Sequence, residues 1–252
     1  TYVFSIYYIL NKINFSKKYL KYFIFFLVII LTFKLKWFDG RQDLLIFSFN
    51  TFIFAYLYEV ISNKSKKTIH LIGLIMAINL LLWTKNDSFL YVITYLILVL
   101  IYLKNPEKLK LIIGISTVLV IKIIFYKIYD VSLNPNLDTF EKNLFTHLSD
   151  IDLLYRLSQI FLWYLVGLLR NPILLLGIIL FIFLFKNTNY LKEYFYYFLA
   201  YIIISLGIIL VYLVTKYDFP FHMIGSVGRV FFQFSMIFFL PIMKFCEKKK
   251  LL

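Results

Sequence analysis

The sequence predicts an all-α fold, a polytopic transmembrane helical bundle of about eight to nine spans with an added amphipathic helix on the outer surface. Three observations predict it. Hydrophobic residues fill 62% of the 252 positions and charged residues only 16%, at a mean hydropathy of +0.84. A water-soluble domain averages about 45–50% apolar and about 25% charged residues. The apolar residues also fall into long runs separated by short basic segments. Eight Gly, five Pro and the single Cys246 exclude a collagenous or linker-rich chain, a disulfide scaffold and a thiolate metal cluster. The net charge of +14 would suit nucleic acid if it covered one face of a folded domain. Here the lysines lie between apolar runs, so they read as membrane-flanking charge. Phe, Tyr, Ile, Asn and Lys together also fit an AT-biased genome, and aromatic abundance is weak evidence for carbohydrate stacking.

Thr1 already lies in an apolar run, with neither a charged n-region nor a small-residue cleavage site before it, so the start is not read as a signal peptide. The expectation is one transmembrane domain over 1–252, the C-terminal part of a longer protein. A helix crosses a bilayer with roughly 20 apolar residues, usually about 17–25. On that measure a partial first helix runs to about residue 10, followed by spans near 19–34, 44–61, 69–83, 88–103, 111–129, 169–185, 195–215 and 230–246. The short segments 69–83 and 88–103 fit a thinned or water-filled region, or a hairpin that dips in from one side.

Charge sets the orientation. Segments 11–21, 62–68, 104–110, 186–194 and 244–252 hold 16 Lys/Arg, against eight in 34–43, 84–87, 130–156 and 216–229. The positive-inside rule places the first set in the cytoplasm. A separate span over 153–169 would invert everything after it and put Lys248, Lys249 and Lys250 outside. Residues 130–168 therefore read as an outer loop carrying an amphipathic helix over 144–157. There Leu144, Phe145, Leu148, Ile151, Leu154 and Tyr155 form one face and Thr146, His147, Ser149, Asp150, Asp152 and Arg156 the other. In this topology all eight Asp fall on the outer side, a bias the charge rule does not demand.

Three outer clusters carry candidate chemistry. In WFDGRQDLL (37–45), Asp39, Arg41 and Asp43 suit a base or hydroxyl ligand beside a phosphate-pairing cation; a solvated loop with Asp43 at a helix N-terminus is the plainer reading. In TKND (84–87), Lys85 and Asp87 lie where two short helices meet, a place for a polar cavity or for an exposed turn. In FHMIGSVGRVFFQF (221–234), Arg229 and Gln233 are four residues apart and share a helix face. They suit a grip on phosphate or sugar oxygens, and equally a capped helix with an interfacial Arg. Gly225 and Gly228 form no nucleotide loop, since no strand precedes them. Lys122 either snorkels or faces a cavity, and Lys127 reads as a snorkeller. Glu59 and His70 are expected to face headgroups at the cytoplasmic ends. His147 and His222 lack metal-ligand spacing, so no metal site is read. Cys246 lies at the inner interface without a lipidation motif.

The order of these motifs resembles the GT-C superfamily of polytopic membrane glycosyltransferases, in particular its bacterial mannosyl- and arabinosyltransferase-like members. DGRQDLLIFSF is similar to the family's outer Asp-Leu-Pro segment, with Leu45 in place of Pro. LLLWTKNDSFLYVITY resembles its Thr-Lys-Asn-Glu-Gly turn, with Asp87-Ser88 replacing Glu-Gly. GRVFFQFSMIFFLP resembles its closing Arg, Gln-containing span and Pro, here Arg229, Gln233 and Pro241. The resemblance covers roughly 38–246. It implies a polyprenyl-phosphate sugar donor, a glycan, lipid or protein acceptor, and an extracytoplasmic active face in the cytoplasmic membrane. It implies substrate binding by Arg41, Lys85, Arg229 and Gln233, with Asp43 and Asp87 supporting catalysis. The family's principal catalytic Asp has no counterpart here, and the resemblance places it ahead of Thr1. Membrane lipids are expected partners and nucleic acid is not; no cofactor is expected, and a divalent metal stays open. The alternatives are an O-antigen-type polymerase or ligase and, from another class, a lipid-linked oligosaccharide flippase or other secondary transporter, which would show inverted repeats and broken helices.

Overall fold

The computed structural model describes residues 1–34, 42–62, 67–84, 88–129, 153–184, 188–214 and 219–250. Among them the chain forms eleven α-helices and no strand. Helix α1 (Tyr2–Leu10) buries Tyr2, Ser5, Ile6, Ile9 and Leu10, a stripe at three- and four-residue steps. Helix α2 (Lys18–Lys34) does the reverse: Tyr19, Tyr22, Phe23, Phe26 and Ile30 are all more than half exposed, a surface suited to acyl chains. Its inward Thr32 meets the Tyr2 hydroxyl.

Helix α3 (Asp43–Ile61) is the hub. Twelve of its residues are buried, because α1, α4 (Lys67–Thr84) and α10 (Phe219–Gln233) pack around it. Helix α5 (Phe89–Tyr102) lies against α9 (Thr188–Val214) and α4. Extended backbone at Leu103 and Lys104 ends α5, and Pro106 opens the first turn of α6 (Asn105–Ile128), where its missing N–H is not needed. Helix α6 lies outside α4 and buries only Leu111, Ile115 and Lys122.

Helices α7 (Leu153–Arg170) and α8 (Pro172–Leu184) meet at a 97° bend. Pro172 cannot continue the preceding helix, and Asn171 caps the new one by accepting the Leu174 N–H at 3.1 Å. Helix α7 packs on α10, where Gly167 lets the two backbones approach. Helix α11 (Phe239–Lys248) closes the chain against α8 and α9. Between α10 and α11, residues 234–238 form tight turns with i→i+3 hydrogen bonds at Ser235, Ile237 and Phe239. All five are buried.

Three described helices are long and apolar enough to cross a membrane: Asp43–Ile61, Asn105–Ile128 and Lys192–Leu213. A fourth span exists if Leu153–Arg170 and Pro172–Phe183 count as one bent pair. That is fewer than the eight to nine expected. The expected span at 230–246 is interrupted by the buried turns, the one at 169–185 is cut at Asn171, and α2, α4 and α5 are short. Most of the expected 144–157 helix lies outside the described residues. Where α7 begins, Leu154 is 80% exposed and Arg156 only 7%. Arg156 thus turns inward, opposite to the solvent face expected for it.

The basic segments converge. Lys12 pairs with Glu59 (3.0 Å), Asn14 donates to Glu247 (2.7 Å) and Lys248 pairs with Glu193 (2.6 Å). Tyr196 touches both Ser62 and the Tyr102 ring. The helix ends beside 11–21, 62–68, 104–110, 186–194 and 244–252 therefore meet at one end of the bundle.

A Cβ at Gly167 would stand 2.5 Å from Phe231 Cδ2, and that ring is held at 4.7 Å edge-to-face by Tyr164. Gly167→Ala is expected to lower thermal stability in detergent by about 1–3 kcal/mol. Gly225→Ala, with nothing within 4 Å of the added carbon, should match or exceed the parent. Glu247 supplies a pH dependence. Burial opposes its ionisation, but hydrogen bonds from Lys244 and Asn14 and the Lys244 charge outweigh burial and hold its carboxyl below the ordinary range. A lowered folded pKa means stability that is present above the unfolded value of about 4.3 and lost as pH falls through the folded value. Glu247→Gln should be less stable than the parent at pH 7, by up to about 1 kcal/mol, and the two should converge as the pH falls through the lowered folded value.

Candidate functional site

Asp43 occupies the first turn of α3, where the helix dipole favours a carboxylate. It is nearly buried, with 4% of its side chain exposed. A buried carboxylate needs charge and hydrogen-bond partners, and α10 supplies both. Arg229 Nε donates to Asp43 Oδ2 at 2.8 Å, and Gln233 Nε2 donates to Oδ1 at 2.6 Å. The four-residue spacing of Arg229 and Gln233 thus does what a shared helix face permits. Its target is a residue of the first outer cluster, 186 positions from Arg229 along the chain. The Arg229 side chain is 30% exposed, so part of it remains open while Nε is held.

A second shell of polar groups explains the geometry. Helix α10 ends at Gln233, leaving its last carbonyls without helical partners. Asn50 Nδ2 donates to the Gln233 backbone carbonyl at 2.9 Å, and Tyr95 OH donates to Asn50 Oδ1 at 2.7 Å. Tyr91 OH donates to Gln233 Oε1 at 2.7 Å. Gln233 is therefore satisfied at its side-chain nitrogen, its side-chain oxygen and its backbone carbonyl, which fixes its rotamer and the face it presents to Asp43. Sequence reasoning passed over Asn50, Tyr91 and Tyr95. Two signals point to them: an amide in the middle of an apolar span, and two tyrosines four residues apart on α5.

Arg41, Lys85 and Asp87 lie outside the described residues, as do Asp39 and His147; of the His222 side chain nothing is described. The first and third outer clusters come together through Asp43, Arg229 and Gln233. Lys122 turns inward: its Nζ donates to the Leu82 carbonyl near the end of α4 at 2.6 Å and lies over the rings of Trp83 and Tyr126. At the other end of α3, Glu59 does not face headgroups as expected. It is buried at 5% exposure, with Lys12 at 3.0 Å and His70 Nε2 at 3.6 Å from its carboxylate oxygens. The physical reason is its place in the last turn of α3, where the dipole disfavours an anion and cations must offset it. Among the described residues no group of three or more His, Cys, Asp or Glu is arranged to hold a metal.

Chemically, the Asp43 cluster offers an oriented, partly exposed arginine. Each Asp43 oxygen accepts one hydrogen bond, so the carboxylate holds the cation in place. No protein-family model, curated protein or solved structure matches the chain.

Removing one member of a buried ion pair strands the other. Asp43→Ala is expected to cost roughly 3–5 kcal/mol of stability, and Arg229→Ala less, because Arg229 is partly exposed. In a double-mutant cycle the paired loss should fall short of the sum by about 0.5–3 kcal/mol. Additive losses in detergent melting would show that the two are not coupled.

Proposed function

We propose that the chain is a membrane glycosyltransferase of the GT-C type, moving a sugar from a polyprenyl-phosphate donor to an acceptor at the extracytoplasmic face of the cytoplasmic membrane. One observation carries this reading: Arg229 is oriented by Asp43, near the start of α3, whereas the basic segments gather at the other end of that helix. The charge rule makes the basic end cytoplasmic, so Arg229 belongs to the opposite face. Nucleotide sugars stay in the cytoplasm, and a lipid-borne phosphate is an anion that reaches that outer interface.

In the reaction an acceptor hydroxyl attacks the anomeric carbon and the bond from that carbon to the phosphate oxygen breaks. Negative charge develops on the leaving phosphate, and the Nη edge of Arg229 stabilises it at a preorganised position. Asp43 and Gln233 are positioning residues in this scheme, and Arg41, Lys85 and Asp87 add charge near the same helix ends by their place in the sequence. The acceptor proton passes to a general base, which the resemblance implies is an Asp.

A second reading has its own support. Buried turns that interrupt α10 and α11 beside Gln233 are the kind of helix break that secondary carriers use around a substrate. Proteoliposomes holding the full-length protein and a labelled polyprenyl-phosphate sugar separate the two. We expect sugar transfer to an added acceptor, reduced on the order of 100-fold or more by Arg229→Ala at unchanged membrane abundance. Arg229→Lys should recover only part of it, since a point charge lacks the planar fork. Transfer that survives Arg229→Ala would overturn the site. Movement of the labelled lipid between leaflets without transfer would favour the carrier.

A further inference from the structure

The two most lysine-rich segments of the chain lie at opposite ends of the sequence, yet the structure joins them. Asn14 Nδ2 donates to Glu247 Oε1 at 2.7 Å, and Lys244 holds the other oxygen of the same carboxylate at 2.8 Å. This places Lys12, Lys17, Lys18 and Lys21 beside Lys244, Lys248, Lys249 and Lys250. The carboxylates here are already taken: Glu59 by Lys12, Glu247 by Lys244 and Glu193 by Lys248. Lys17, Lys18, Lys21, Lys249 and Lys250 pair with no carboxylate among the described residues, and all but the half-buried Lys21 are exposed. Lys21 donates to Asn11, and Lys17, Lys21 and Lys249 lie over the rings of Tyr19, Tyr7 and Phe245. No described carboxylate offsets the five charges, which repel one another, an arrangement that an anion relieves.

The chemistry beside them identifies that anion. Lys17 and Lys18 lie at the start of α2, and from there Tyr19, Tyr22, Phe23 and Phe26 continue outward along the same helix. A soluble phosphate compound would meet only the lysines. A phospholipid meets both features, with its headgroup at the lysines and its acyl chains along α2. Lysines just outside a membrane segment attract anionic headgroups, and the attraction sums over the cations. A headgroup with two phosphates engages both arms of the face at once, Lys17, Lys18 and Lys21 from one segment and Lys249 and Lys250 from the other.

We propose that this composite face is a binding site for anionic phospholipid, selective for a diphosphate headgroup such as that of cardiolipin. The test is native mass spectrometry of the full-length protein titrated with cardiolipin, phosphatidylglycerol and phosphatidylcholine, and separately with inorganic pyrophosphate. Retention is expected in the order cardiolipin, phosphatidylglycerol, phosphatidylcholine, with no displacement by pyrophosphate. The variant Lys17→Gln/Lys18→Gln/Lys249→Gln/Lys250→Gln alters exposed side chains only, and its melting temperature reports that it folds. It should bind cardiolipin at least about tenfold more weakly. Lys104→Gln/Lys108→Gln/Lys110→Gln, which removes three charges elsewhere at the same end, should not. Asn14→Ala keeps every lysine and should still weaken binding, because it releases the two arms from each other. Equal loss in both lysine variants would reduce the effect to general charge and overturn the proposal. So would displacement by pyrophosphate, which would mark a site for soluble phosphates, or equal retention of phosphatidylcholine.

Discussion

A carboxylate is buried at tolerable cost only if partners replace the water it loses. Asp43 meets that condition at the head of the central helix, and much of the bundle follows from how it does so. Its two oxygens need donors from a neighbouring helix, which draws the end of α10 against the start of α3. Gln233 can serve only if its remaining polar atoms are satisfied, which brings in Tyr91 from α5 and Asn50 from α3. Asn50 in turn needs Tyr95. One ionised group at the edge of the apolar core therefore sets the register of three helices. Apolar packing alone does not do this, because aromatic and aliphatic contacts tolerate sliding and rotation far better than a bidentate hydrogen-bonded pair does.

The same helix carries a second buried carboxylate at its other end, and the two are not equivalent. Asp43 lies where the α3 dipole is favourable, Glu59 where it is not. Glu59 accordingly gathers two basic partners, Lys12 and His70, whereas Asp43 uses one cation and one amide. Sixteen residues separate them, about 24 Å along an α-helix, slightly less than a hydrocarbon core of about 30 Å. Polar clusters at this spacing sit near the two boundaries of a bilayer, where ionised groups are least costly. The hub helix is long and apolar enough to cross a membrane and carries a buried carboxylate near each end.

What could be read in the sequence was what local spacing encodes. The shared face of Arg229 and Gln233 follows from a separation of four, whereas the expected 169–185 span ran through the bend at Asn171-Pro172. The helical class follows from composition, and the segments that meet at one end are the ones charge had grouped together. What could not be read depends on partners distant along the chain. Nothing within 229–233 says that Asp43 is its target. Residues 234–238, Phe-Ser-Met-Ile-Phe, contain neither Gly nor Pro, and as an apolar run they read as uninterrupted helix. Where the helix stops, Asn50 donates to the Gln233 carbonyl and the Ser235 N–H to the Phe232 carbonyl, bonds that replace those of another turn and override local propensity. Fewer described helices than expected are long and apolar enough to cross a membrane, because the 230–246 run is interrupted and α2, α4 and α5 are short. Glu59 was misplaced because its neighbours in space come from residue 12 on one side and residue 70 on the other.

The buried break also bears on why Arg229 is placed as it is. If the helix continued through 234–238, Arg229 would sit alongside further turns of backbone. Ending α10 at Gln233 leaves the helix terminus to be held from below by Asn50 and Tyr91 and from the side by Asp43. Arg229 is then fixed through Nε, while part of its guanidinium stays exposed. A flexible arginine on a surface loop would have to be ordered by each anion it met, at a cost of about 0.5–1.5 kcal/mol per immobilised side chain. Here the fold bears that ordering in advance. Whatever anion approaches this end of the bundle meets a cation whose position the core has already set, with the orienting carboxylate kept out of reach of water.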